Sequence, residues 1–246
     1  VYSNEVDIAQ TPLKGLPAGQ PVDIVSHRGK WLGSGYANPN SLICARLVSR
    51  DPAHPLGEPG SHTRSGGRPT YFAWREIAPG IHAAIGGGGN AMLVIDGGEA
   101  LVSDAKNLGL GHTLRREAEA FGTPITVAVN THHHGDHSGG NIAFAGDMPL
   151  IANPNAQRRI RKQAASVVGA TNDRLSQMID RMSAEGEDPA VIEDVIEETT
   201  KLGAAYPEAM TPNETFEGER EVVVGSRTVV LTHVGPGHTD GDVFLH

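Results

Sequence analysis

The stretch Asn130–Asn141, NTHHHGDHSGGN, constrains this chain more than any other. It places four imidazoles and one carboxylate within six positions: His132, His133, His134, Asp136 and His137. It follows directly on Ile125–Val129, a short apolar run that fits a buried strand. In an extended segment, residues two apart point the same way, so His132 and His134 share a direction and His133 points away. A turn at Gly135 lets Asp136 and His137 face the same pocket. One histidine on an apolar face is ordinarily a core residue. Four of them at the end of one strand are what a metal site requires. Imidazole nitrogens and a carboxylate without thiolate suit Zn²⁺ first, and Mn²⁺ or Fe²⁺ as well. The sole cysteine, Cys44, excludes an internal disulfide and a thiolate cluster. It reads as a buried apolar residue of a strand rather than as a nucleophile.

The 246 residues suit one large domain with a smaller module. At 38% hydrophobic and only 4% aromatic, the core must be mostly aliphatic. The net charge of −9 gives the chain as a whole no attraction for nucleic acid; binding there would need a local basic patch. No apolar run approaches the roughly 20 residues of a membrane span, and no signal peptide is visible. The expected location is cytoplasmic, for a chain that opens on Val1 and whose start is open to trimming.

Four segments are expected. Residues 1–12 lack periodicity and form a mobile lead. Residues 13–52 form a small β-module, with strands at Val22–Ser26, Trp31–Gly35 and Leu42–Arg50. Residues 53–69, rich in Pro, Gly and Ser, form a linker. Residues 70–246 form the main α+β domain. Its strands are expected at Tyr71–Ile77, Ile81–Ile85, Ala91–Ile95, Ala100–Ser103, Ile125–Val129 and Pro149–Ala152, with a helix at Thr113–Phe121. Three more helices follow: one from the cap Asn153-Pro154, one after Thr171 and Asn172, and one from Asp188-Pro189. The acidic run Glu193, Asp194, Glu197 and Glu198 reads as a solvated face, and the basic run Arg158, Arg159, Arg161 and Lys162 as surface. A last hairpin, Glu221–Val224 with Arg227–His233, precedes GPGHTDGD, Gly235 to Asp242.

Two resemblances emerge from these words. PVDIVSHRGKWLGSGYANPNS and ICARLVSRD resemble part of the PUA-type RNA-binding module of ribosomal-RNA large-subunit cytosine methyltransferases, over residues 13–52. HxHxDH, the Gly-Gly after it and the later Gly235–His238 loop resemble the metallo-β-lactamase superfamily from residue 70 onward. That second resemblance implies an αββα sandwich with metals at one edge. It implies His132, His134 and His238 as ligands of one metal, and Asp136 and His137 as ligands of a second. Asp104 would support the ligands from behind. His133 would line the pocket without ligating.

The superfamily's later bridging aspartate and final histidine find no match before His246, so the expected fold is a truncated αββα sandwich. Asp242, His246, the 13–52 module or a partner chain would then complete the second metal. The exposed sheet left by truncation would be covered by the N-terminal strands or in a homodimer. The expected function is a promiscuous metal-dependent hydrolase of a small-molecule ester, with Asp136 orienting the attacking water as well as ligating. Phosphodiesters or activated phosphotriesters come first. β-Lactams, lactones or carboxyl esters are the alternative, and RNA binding or processing a further one.

Overall fold

The computed structural model describes residues 20–26, 30–37, 45–49, 70–167, 171–200 and 206–246. The expected lead, the linker and Cys44 lie outside the described residues. Three strands, β1 (Gln20–Val25), β2 (Trp31–Ala37) and β3 (Ala45–Ser49), form an antiparallel sheet in that order. Among the described residues these strands pair with one another, as a sheet separate from those of residues 70–246.

The large sheet has seven strands: β4 (Ala73–Ala78), β5 (Ile81–Ile85), β6 (Ala91–Asp96), β7 (Glu99–Ser103), β8 (Ile125–Val129), β9 (Leu150–Ala152) and β10 (Glu214–Thr215). Their spatial order is their sequence order. From β4 to β7 the pairing is antiparallel; from β7 to β10 it is parallel. The β6–β7 hairpin closes through Gly97 and Gly98, whose φ of 57° and 84° match the two-residue turn that suits strand twist. The parallel half needs crossovers. Helix α1 (Gly111–Glu119) supplies the first; α2 (Gly135–Ser138) and a 3₁₀ turn at Asn141–Ala143 lie within the second. Helices α3 (Pro154–Val167), α4 (Thr171–Ala184), α5 (Pro189–Thr200) and α6 (Tyr206–Met210) join β9 to β10. A smaller antiparallel sheet follows: β11 (Glu219–Val224), β12 (Arg227–Thr232) and β13 (Phe244–Leu245).

Strand alternation divides the core in two. Leu93, Ala100 and Val102 face the helices and pack with Leu114 and Ala118 of α1. Val94, Leu101, Val127 and Val129 face the other way, against Val222, Val224, Val229 and Leu231 of the small sheet. Helices, large sheet and small sheet are thus three successive layers. The outward face of the small sheet leaves Val223 62% and Phe244 56% exposed.

The caps expected for α3 and α5 are formed: Asn153 Oδ1 accepts from Asn155 N at 2.9 Å, and Asp188 Oδ1 from Ala190 N at 2.9 Å. The acidic run of α5 is not a solvated face throughout. Glu198 is wholly buried, and its carboxylate accepts from Gly109 N (2.6 Å) and His112 N (2.8 Å) at the start of α1. Asp194 accepts from Thr113 Oγ1 at 2.8 Å and pairs with Arg116 at 2.6 Å. The unmet N–H groups of a helix N-terminus, lying far off in sequence, draw the Glu198 carboxylate inward, and two side chains of the same helix hold Asp194. The basic run of α3 is exposed, as its composition suggests.

Candidate metal centre

The parallel strands end on one side, and their carboxyl ends collect the polar groups. Asp104 follows β7, and Thr131 and His132 follow β8 after Asn130. Asp104 N donates to Val129 O at 2.7 Å, which holds the two strand exits together. Here the backbone of Asp104 takes a φ of 65°, a left-handed conformation that aspartate tolerates better than most residues.

His238 reaches this place from the far end of the chain. Val243 N donates to Thr131 O at 2.7 Å, which ties the last loop to the exit of β8. Within that loop, Asp242 accepts from Thr239 N (3.0 Å) and Thr239 Oγ1 (2.5 Å). From α3, Arg159 grips Asp240 at 2.6 Å and 2.7 Å, and Asn155 Nδ2 donates to Asp240 O at 2.7 Å.

His132, His134 and His238, the three that the resemblance implies for one metal, converge. One nitrogen from each lies within 4.8 Å of the others, and His238 Nε2 sits 3.1 Å from His134 Nδ1. Their proton states follow from their neighbours. Asp104 accepts the single hydroxyl proton of Thr131, at 2.8 Å from Oδ2. Thr131 Oγ1 must then accept from His132 Nδ1, 3.0 Å away. His132 Nε2 is therefore left as the bare lone pair, buried and without a hydrogen-bond partner. Such an orphaned nitrogen aimed among two other imidazoles fits a divalent cation, and three imidazoles are a donor set that Zn²⁺ accepts with a position left open. Burial, and after it the charge of His137, pushes the His132 pKa down to about 3. Burial, and after it His238, lowers His134. Both rings stay neutral, which is the ligating form.

The Asp136–His137 pair lies beside this cluster, with the ring centroids of His132 and His137 4.2 Å apart. His137 Nδ1 donates to Asp104 Oδ2 at 2.7 Å, so Nε2 carries the lone pair; it lies 3.5 Å from Asp136 Oδ2. Burial alone would raise the Asp104 carboxyl, but His137, His132 and Thr131 N outweigh it and hold it below the usual carboxylate range. His133 is half-buried and outside the three-histidine group.

Neither Asp242 nor His246 completes the Asp136–His137 pair. Asp242 is engaged by Thr239 in building its own loop, and the His246 ring lies on the small sheet, 3.1 Å from Thr232 Oγ1. Among the described residues, one group of three ligating side chains forms, and it is the histidine triad.

Three contributors had no signal in the sequence pattern. Thr131 relays Asp104 to His132. Gly89 covers His137: a Cβ there would stand 2.3 Å from His137 Nε2, so no larger residue fits. Lys106 is fully buried with φ 68°, and Nζ donates to Ala84 O (2.6 Å), Gly86 O (2.9 Å) and Gly89 O (2.9 Å). It fastens the glycine loop, whose Gly89 N donates in turn to Asp136 O at 3.1 Å. A lysine just past an apolar strand reads as surface; only the fold turns it inward.

Layered helices and two sheets, with a histidine triad where parallel strands end, define an α+β fold with a candidate metal centre at the carboxyl ends of its strands. The chain belongs to the metallo-beta-lactamase superfamily, whose profile matches residues 84–246. A PUA-like domain profile matches residues 1–50. Among solved structures, a metallo-beta-lactamase from Pontibacter korlensis matches at 14% identity and TM-score 0.45, over 71% of this chain and 66% of that one. One from Hirschia baltica matches at 12% and 0.46, over 71% and 66%. FIM-1 from Pseudomonas aeruginosa, in its mono-zinc form, matches at 15% and 0.46, over 71% and 64%. The chain thus spans just under two thirds of the length of these structures. No curated protein matches.

Proposed function

We propose that this chain is a metal-dependent ester hydrolase. The observation that carries the reading is the triad of His132, His134 and His238, with the buried and unpartnered Nε2 of His132 among them. These residues would hold the first ion, Zn²⁺ before Mn²⁺ or Fe²⁺. A divalent ion held there would supply a water acidified to a pKa of about 7 and a Lewis acid for the electrophile. Asp136, half-exposed and 3.5 Å from His137 Nε2, would orient that water and take its proton. Asp104 and Thr131 fix the His132 tautomer, and Asp104 fixes that of His137.

For the substrate, phosphoesters are the first reading. The Asp136–His137 pair adjoins the triad and would hold a second ion, and two adjacent ions suit in-line displacement at phosphorus. The second reading is a lactone, carboxyl ester or β-lactam. It is favoured by the completeness of the triad, since attack on a carbonyl needs one ion only.

Metal analysis of the purified protein, with turnover of chromogenic phosphodiester, phosphotriester, lactone, carboxyl-ester and β-lactam substrates, tests this. Chelation should abolish turnover and added Zn²⁺ restore it. Turnover that survives both chelation and His132→Ala would overturn the reading. Activity confined to carbonyl substrates at one ion per chain would decide for the second substrate class.

A further inference from the structure

A cavity of about 470 Å³ opens beside the metal motif. Leu108, Ile160, Ala164, Met178, Tyr206 and Met210 supply its apolar wall, from the loop after β7 and from helices α3, α4 and α6. Its floor is the motif helix itself, through Gly135, Ser138 and Gly139. Gly135 stands directly between His134 and Asp136 in the chain, and a Cβ built on it would meet nothing within 4 Å. The open space of the cavity therefore begins at the residue joining a triad histidine to the carboxylate beside it. Asn107 marks the same junction: it lines the cavity, its Nδ2 donates to Gly87 O at 3.1 Å, and a Cβ built on the adjoining Gly88 would meet both Asn107 and Asp136.

The chemistry of the wall selects its ligand. A volume of this size accepts a group of roughly drug-like dimensions. The wall is mostly aliphatic and thioether, which favours an alkyl or aryl group over a sugar or a nucleobase edge. Arg181 is its one charged side chain, with no carboxylate among the lining residues. That admits a neutral or anionic ligand and disfavours a cationic one.

We infer that this cavity receives the apolar acyl or alkyl portion of the substrate whose ester bond is presented at the histidine triad. The inference rests on the hydrolase reading above for the reaction and on the cavity alone for the binding. Helices α3, α4 and α6 then form the part of the molecule that chooses the substrate.

Two measurements on the full chain separate the two claims. The first is calorimetric binding of sodium decanoate, with and without added Zn²⁺. The second is the ratio of kcat/KM for p-nitrophenyl decanoate to that for the acetate. Decanoate should bind, and the ratio should exceed ten. Ala164→Trp fills the cavity from α3 and should weaken decanoate at least tenfold and collapse the ratio. Ser166→Trp, on the exposed side of the same helix, does so at the mouth without burdening the core, and circular dichroism confirms folding of both variants. Decanoate bound without hydrolysis of either ester upholds the cavity and overturns presentation of a carboxyl ester at the triad, leaving the phosphoester reading to the phosphodiester and phosphotriester assays above. Hydrolysis with no chain-length preference, and decanoate affinity unchanged in both tryptophan variants, overturns the cavity and leaves the hydrolase reading intact.

Discussion

Asp104 and His137 are joined by a 2.7 Å hydrogen bond from Nδ1 to Oδ2, with both side chains almost wholly buried. The same carboxylate takes the hydroxyl of Thr131, which holds His132. One residue at the end of β7 thus sets the ligating nitrogens of two histidines.

Asp104→Asn is therefore expected to weaken metal binding about 10- to 100-fold, the usual cost of losing a group that orients a ligand. Asparagine tolerates the left-handed backbone at this position, so the fold should survive. Competition for Zn²⁺ with a chromogenic chelator would measure the loss, and an unchanged affinity would show that the His132 and His137 tautomers are set elsewhere.

Lys106→Met removes the cation that three backbone carbonyls share. Buried acceptors left unmet cost about 1–3 kcal/mol each. A loss of at least that much in urea unfolding is expected. The freed glycine loop should also raise the metal requirement at the Asp136–His137 pair, read as a lower bound-metal count at fixed free Zn²⁺.

Glu117 offers a test of the scaffold apart from the metal. Its buried carboxylate accepts from Tyr71 N (2.7 Å), Phe72 N (3.2 Å) and Trp74 Nε1 (3.0 Å). Glu117→Ala strands these donors and should destabilise the protein by roughly 3–5 kcal/mol, with a visible change in tryptophan emission. Glu117→Gln, which keeps an acceptor, should cost less.

In the chelated protein, the His132 pKa of about 3 stands against 6.5 for the free side chain. Between those values the unfolded chain binds a proton that the folded chain refuses, so acid favours unfolding. Stability present above pH 6.5 is lost as pH falls from there towards 3. Thermal melts of the chelated protein across pH 7.5 to 4 should show that slope, and His132→Asn should flatten it.

His238→Ala removes one of three imidazoles from a loop held independently by Asp242, Arg159 and Asn155. Metal affinity should fall by at least two orders of magnitude while the circular dichroism spectrum stays unchanged. A collapsed fold would instead make His238 a structural residue of the loop.

Much of the large sheet was legible in the sequence. Ile81–Ile85 and Ile125–Val129 stand at the residues their apolar patterns mark, and Asn153 and Asp188 cap the helices they announce. Short β10 and α6 were not legible, because two or five residues carry too little periodicity to distinguish. The acidic run of α5 was misread for a different reason. Nothing local reveals that Glu198 meets the amide of Gly109, 89 positions away, or that Asp194 meets Arg116 across 78.

The same division runs through the metal site. The sequence alone determined the ligand types, because His132, His134, Asp136 and His137 lie together in the short loop that leaves β8 and in the first turn of α2. Their proton states, and the arrival beside them of the His238 that the resemblance names, were decided by tertiary structure. His238 comes within 3.1 Å of His134 across 104 residues, and Asp104 binds His137 across 33. Those meetings depend on where parallel strands end and where a distant loop is tied down. They are consequences of packing, which spacing along the chain does not encode.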